Sequence, residues 1–288
     1  MKWGSKNNNF HHEFLWTGKH KRPSKLEFLP KIKPHINTQT SFNMSKLTDF
    51  KLLSFDVYGT LIDWERGCVD AFRPMLKKSN KEDMDPEDIL KVCHAAQVPE
   101  QARNPGLRYS ELLATVHPVM CKELGLAEPT KEESQAFGAS VPTWVAFPDT
   151  VSALRRLAKV YKLVVLSNVD NDSFQANRMA STGLQGFEFD NVYTAEDIGS
   201  YKPSLNNFAY MLRKVKEEFG VEKTEVLQTA QSQFHDHHPC KDMGIKSSWI
   251  CRANSIMGNR DDPVYDWKFD TLGEMADAVE KELAEQKR

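Results

Sequence analysis

Several absences narrow this chain before any motif does. No apolar run approaches the ~20 residues that span a bilayer, so a membrane partner is not expected. No C-x-x-C pair occurs. The five cysteines (Cys68, Cys93, Cys121, Cys240, Cys251) are odd in number and widely spaced, which suits reduced thiols in a cytoplasmic compartment better than a disulfide framework. Neither sign of charge is in excess over the whole chain, whose net charge is -2, and without a basic surplus nucleic acid is not an expected partner either. No internal repeat is evident. What remains is an ordinary soluble composition, 40% hydrophobic and 27% charged over 288 residues, enough for one large or two modest domains.

The charge is unevenly placed. Residues 1–43 hold eight Lys or Arg against Glu13 and Glu27, so the 30 basic and 38 acidic residues that follow carry a formal charge of -8. A basic, acid-poor head fits a targeting segment, but it has a single Arg and no amphipathic helix. The reading adopted is a disordered extension ahead of a protein that starts naturally at Met44.

From Lys51 onward, short apolar runs alternate with helical patterns, the signature of a parallel sheet covered on both faces. The expected strands are Leu52–Phe55, Leu163–Leu166, Asn191–Thr194, Val226–Thr229 and Ser248–Cys251. Helices are expected over Asp149–Val160, which starts on a capping residue, and over Pro203–Phe219, which stops at Gly220. A last helix follows Asp270, with Thr271 and Glu274 spaced as a capping box. Residues 65–148 contain no convincing strand. Their helical patterns (Cys68–Lys78, Pro86–Gln97, Tyr109–Leu124, Glu132–Phe137) make them an inserted α-helical cap over the sheet edge. The expected fold is therefore α/β, with a Rossmann-like core formed by residues 44–64 and 149–288.

Four loops follow four of these strands, and each carries a polar group. Asp56 with Thr60 lies in LLSFDVYGTLID, Ser167 and Asn168 in LSN, Lys202 in YKP, and Ser232, His235 and Asp236 in AQSQFHD. In a parallel sheet these loops share the carboxyl edge, where open α/β folds keep their ligands. A carboxylate nucleophile there needs a cation to hold it ionised, donors for the group it attacks and a way to hydrolyse the ester it forms. Asp56, Lys202, Ser167, Asn168 and Asp236 meet those needs.

With these four motifs in order, residues 48–285 resemble the haloacid dehalogenase superfamily. Its phosphatases usually carry Asp-x-Asp, whose second Asp protonates the leaving group, and an acid before the Ser of the fourth motif to hold magnesium. Here those places are Tyr58 and Gln231, so proton and metal provisions are both missing. The resemblance is to type II 2-haloacid dehalogenases, which carry Asp-x-Tyr-Gly-Thr. It implies that Asp56 attacks carbon 2 of a small carboxylic acid and that water hydrolyses the ester with help from Lys202 and Asp236. Ser167 and nearby amides would hold the substrate carboxylate and Asn168 would face the halide. No metal or other cofactor is implied. Tyr58, Thr60, Ser232 and His235 are placed with the substrate-binding residues.

The cap departs from those enzymes. Where they have a halide-holding arginine, this chain reads QARNPGLRY, which suggests Arg103, with Arg108 the other choice. The altered cap keeps two rivals open, a magnesium phosphatase of the same fold and a non-catalytic member, and a homodimer is left open too. Three further features have plainer readings. The run His235, Asp236, His237, His238 lacks metal-ligand spacing, Cys240 reads as a packed residue, and Trp64 as a hinge contact or pocket wall.

Overall fold

The computed structural model describes residues 45–252 and 254–288; the basic head lies outside the described residues. Six strands form one all-parallel sheet in the order β3-β2-β1-β4-β5-β6. They are β1 Leu52–Phe55, β2 Lys162–Ser167, β3 Asn191–Thr194, β4 Val226–Ala230, β5 Lys246–Ile250 and β6 Trp267–Phe269. The order reverses between β1 and β4, so the crevice expected at such a switch point opens beside the last residue of β1. Asp56 is the next residue.

Alternation along β1 and β2 divides their side chains between two cores. Leu53, Phe55, Leu163 and Val165 pack with Leu154 and Leu157 of α5 (Thr150–Leu157) and with Met275 and Val279 of α10 (Leu272–Gln286). Leu52, Val164 and Leu166 face the other way, onto Phe208, Met211 and Val215 of α8 (Leu205–Phe219) and Cys240 of α9 (His238–Met243). Burial of each such side chain is worth about 1.5–3 kcal/mol, which is what fixes the register of so short a strand as β1.

Between β1 and α5 the chain builds only helices of any length: α1 Trp64–Lys78, α2 Pro86–Arg103, α3 Tyr109–Glu123 and α4 Lys131–Gly138. This is the helical cap. Its own core includes Phe72, Leu112, Val116, Met120 and Phe137, with His117 stacked on Phe137 at 4.7 Å. Burial pushes the His117 imidazole down to about 4, so it sits there neutral.

Some elements differ from the sequence expectation. α2 runs past Pro99 to Arg103 instead of ending at Gln97. β5 begins two residues early because Lys246 and Ser247 pair with β4 in spite of their polarity. Asp149 precedes α5 but makes no side-chain cap; its oxygens accept from Arg252 Nη1 at 2.6 Å and Gly273 N at 3.1 Å. β6 is an added edge strand, and α6 (Asn171–Met179) and α7 (Ala195–Ile198) are added helices. Only half of the capping box expected at Thr271 and Glu274 forms: the Glu274 amide donates to Thr271 Oγ1, but its carboxylate accepts from Asp270 N, one residue before the cap. Among the described residues no helix is long and apolar enough to cross a membrane, and all five cysteines are free thiols.

Candidate active site

The turn after β1 is wound around one carbonyl. Val57 O accepts from Thr60 N, Leu61 N and Ile62 N at 3.2, 2.7 and 2.9 Å. Gly59 takes φ +98°, a conformation side chains rarely adopt, and a Cβ there would also press on the Trp64 ring at 3.2 Å. This winding turns Thr60 back toward the sheet, where its hydroxyl donates to Asp56 Oδ2 at 2.7 Å and accepts from Gln231 N at 2.8 Å. Arg252 holds the same turn from beneath, Nε and Nη2 reaching Thr60 O at 3.0 and 2.6 Å.

Lys202 is the centre of the charged cluster. Its ammonium, only 1% exposed, donates to Asp56 Oδ1 at 2.9 Å, Asp236 Oδ1 at 2.8 Å and Leu166 O at 2.9 Å, which uses its three donors. Burial opposes the ammonium, but Asp236 and Asp56 outweigh it and raise its pKa. Two carboxylates and one cation leave a formal charge of one minus, and one carboxyl must bear that cost. Asp236 is the one: burial pushes it up to about 7 against the pull of Lys202. It is fully buried, Gln228 Nε2 supports its Oδ1 at 2.9 Å, and its Oδ2 has no protein partner.

The remaining loops position this cluster. Asn168 and Lys202 exchange two hydrogen bonds, Nδ2 donating to Lys202 O at 2.9 Å and Lys202 N donating to Oδ1 at 2.7 Å. The Asn168 amide is thus a clamp on the lysine's backbone. Ser167 Oγ is buried without a partner. Tyr58 points its hydroxyl away from the cluster, donating to Asn177 Oδ1 on α6 at 2.7 Å, and burial raises its pKa. Ser232 caps the turn of residues 233–237, accepting from His235 N at 3.0 Å. Burial, with Lys202 and His94 nearby, drives the His235 imidazole down to about 3, so it lies neutral beside the cavity.

A cavity of about 450 Å³ opens over Asp56 between core and cap. Tyr58, Ser167, Asn168, Lys202, Ser232 and His235 line it together with Asp56. Thr60 and Asp236 stand behind that lining, bonded to Asp56 and Lys202. Arg103 is not brought to the cavity: its side chain is 68% exposed and paired with Glu100 at 2.8 Å. α2 continues through Pro99, and position 103 falls on an outer face. Arg108 pairs with Glu196 and Asp172 outside the cavity as well.

Two walls were not foreseen from sequence. One is the face of α2 carrying His94, Gln97 and Val98; the other is the segment 256–260, which reaches over the site from the far side of β5. Glu65 on α1 receives Ile256 N, Met257 N and Ser255 Oγ, at 2.8 Å for Met257 N. Gln231 Nε2 donates to Met257 O at 2.9 Å. Gly258, at φ +80°, lies so close that a Cβ would meet Gln231 Oε1 at 2.7 Å. Trp64 is a wall of the same cavity. The one foreshadowing of this segment in the sequence is the pair of neutral residues, Gln231 and Gly258, that lets it approach.

The metal-binding alternative depends on the donor set. Tyr58 and Gln231 stand where a second carboxylate and an acid would be needed; both are neutral and already committed to Asn177 and Met257. Among the described residues no group of three or more His, Cys, Asp or Glu is arranged around a common point. Neither Tyr58 nor Gln231 adds an anionic oxygen beside Asp56 for a magnesium ion.

The site is thus a buried Asp–Lys–Asp cluster at the switch point of a parallel sheet, beneath a helical cap, in an α/β fold. The family model of haloacid dehalogenase-like hydrolases matches residues 50–227, and the chain belongs to that family. Among solved structures, the chain is similar to the L-2-haloacid dehalogenase from Xanthobacter autotrophicus. Identity is 20% and the TM-score 0.65, over 80% of this chain and 98% of that one; the same enzyme with chloropropionic acid covalently bound matches equally. The putative HAD-hydrolase YfnB from Bacillus subtilis, bound to magnesium, is 18% identical with a TM-score of 0.63, over 80% of this chain and 99% of that one. No curated protein matches.

Proposed function

We propose that this protein is a metal-independent hydrolase that forms an ester on Asp56, and that its substrate is a 2-haloacid. One Asp56 oxygen attacks carbon 2 and the halide leaves with the bonding pair. Water then adds to the Asp56 carbonyl carbon, the ester C–O bond breaks, and a 2-hydroxy acid of inverted configuration departs as one proton is released. The Lys202 ammonium and the Thr60 hydroxyl hold the two Asp56 oxygens and keep the nucleophile from rotating. Asp236 fixes Lys202 and offers its unpartnered oxygen to the hydrolytic proton. The unpartnered Ser167 hydroxyl is the donor available to the substrate carboxylate.

One observation carries this reading. Asp56 faces the cavity with a cation at 2.9 Å, while the two positions that would serve phosphoryl transfer, 58 and 231, hold groups engaged elsewhere. A halide leaves without a proton; an alkoxide needs one.

The expected result is halide release from 2-bromo- or 2-chloroacids that is unchanged by chelators and absent in Asp56→Asn. A single turnover in ¹⁸O-water should label the Asp56 carboxylate. Magnesium-dependent hydrolysis of phosphate esters, with no halide from any 2-haloacid, would overturn the proposal in favour of a phosphatase.

A further inference from the structure

The cavity is too large for the shortest haloacids. At the ~30 Å³ that a water molecule occupies in the liquid, about 450 Å³ holds roughly 15 non-hydrogen atoms, whereas 2-chloropropionate has about six. Pockets of about 300–1,000 Å³ normally take larger ligands and bury most of their surface. Ser167 at the end of β2, with Asn168 and Lys202 in the loops after β2 and β3, gathers the polar groups nearest the reacting end beside Asp56. The rest of the wall has an apolar part, Trp64 and Val98 from the cap with Phe234, Ile256 and Met257 from the core, bordered by polar side chains that include Lys91, Gln97, Gln101 and Arg260. Two of these apolar side chains stay open where the protein could have covered them, Val98 at 43% and Ile256 at 39% exposure. They come from different elements and line one cavity.

We infer that the substrate is a long-bodied acid: a carboxylate and reacting carbon held at Asp56, and an alkyl or aryl body of several carbons lying along the apolar wall between α2 and segment 256–260. This rests on the proposed function for the reacting end, but the apolar subsite is testable without turnover. Segment 256–260 has a specific part in it. The Glu65 and Gln231 bonds hold Ile256 and Met257 over the cavity, so the subsite is built before the ligand arrives.

The test is calorimetric titration with 2-hydroxyalkanoates of three to ten carbons, the product series, on the intact protein. Affinity should rise about threefold to fourfold for each methylene that the wall buries. Val98→Trp, which fills the cap side, and Ile256→Asp, which places a charge on the core side, should each remove most of that gain. Both positions are partly exposed, and a thermal melt shows that each variant is folded. The inference is overturned if 2-hydroxypropionate binds as tightly as 2-hydroxydecanoate, or if the longer acids show no binding at about 1 mM. Halide release from the matching 2-bromoalkanoates separates the two proposals. Length-dependent binding with no halide overturns the chemistry alone, while halide released best from the three-carbon acid overturns the subsite alone.

Discussion

Replacing Lys202 with methionine tests the charged cluster most directly, because shape is nearly kept and one cation is lost. The ammonium serves Asp56, Asp236 and Leu166 O at 2.9, 2.8 and 2.9 Å. Removing it leaves two buried carboxyl groups with no counter-ion, a change that costs about 3–5 kcal/mol when the orphaned charge stays ionised. The protein can escape part of that cost by binding a proton. Burial already pushes Asp236 up to about 7, and Lys202 is the main influence pulling it down, so in the variant it titrates higher still. A carboxyl whose folded pKa lies above its unfolded one carries more protons when folded. Its contribution is present at low pH and lost as pH rises, at about 1.4 kcal/mol per unit.

The deficit of the variant should therefore be largest in alkali, about 3–5 kcal/mol near pH 8.5 and roughly 2 kcal/mol less at pH 7 and below. Urea unfolding followed by tryptophan fluorescence at about pH 5.5, 7 and 8.5 measures it. Adding Asp236→Asn should restore at least half of the loss at the highest pH, since it removes the uncompensated charge. A deficit below about 1 kcal/mol, the range of an exposed ion pair, or one that does not change with pH, refutes this account of the cluster.

Two further outcomes are expected. Arg103→Ala should leave kcat/KM for any turned-over substrate within about twofold, since that side chain is exposed, paired with Glu100 and away from the cavity; a loss near the hundredfold typical of a lost catalytic hydrogen-bond donor would mean that α2 rearranges on binding. Tyr58→Phe should cost about 0.5–1.5 kcal/mol of stability through the lost bond to Asn177 and keep halide release. Complete loss of turnover in that variant, with the fold intact, would show that the hydroxyl takes part in the chemistry.

Much of this arrangement is legible in the sequence because strong local signals agree. Leu52–Phe55 is apolar at every position but Ser54, and in the structure all four side chains are buried. Lys202 and Asp56 are 146 positions apart, yet each follows a readable strand, and the parallel topology brings them to 2.9 Å. The misses have equally physical causes. β6 is three residues long at the sheet edge, with the pattern intermediate, exposed, intermediate, so no apolar run announces it. The helical pattern of Pro86–Gln97 stops short of Pro99, a residue that usually ends or kinks a helix, but α2 continues through it. Segment 256–260 has no periodicity at all. What orders it is a carboxylate, Glu65, some 190 residues earlier, and such long-range capping of loop amides leaves no local trace. Asn168, expected to face a halide, lines the cavity and also bonds both backbone groups of Lys202, a clamp that its motif does not reveal.

The saturation of Lys202 has a consequence for how the site counts charge. At rest the cluster holds the Asp56 carboxylate, the Asp236 carboxyl pushed up to about 7 and an ammonium whose hydrogens are all engaged. Once an ester forms at Asp56, one negative charge is cancelled and the lysine's closest remaining anion is Asp236, in a neutral pair. The unpartnered Oδ2 of that residue is then the strongest base left in the buried cluster, just when water must be deprotonated. Completing the hydrolysis restores the minus charge at Asp56, which favours the proton that Asp236 has taken up until that proton passes to solvent. In this scheme the same three residues run as an oscillator between one minus and zero, and the covalent state of Asp56 sets the phase.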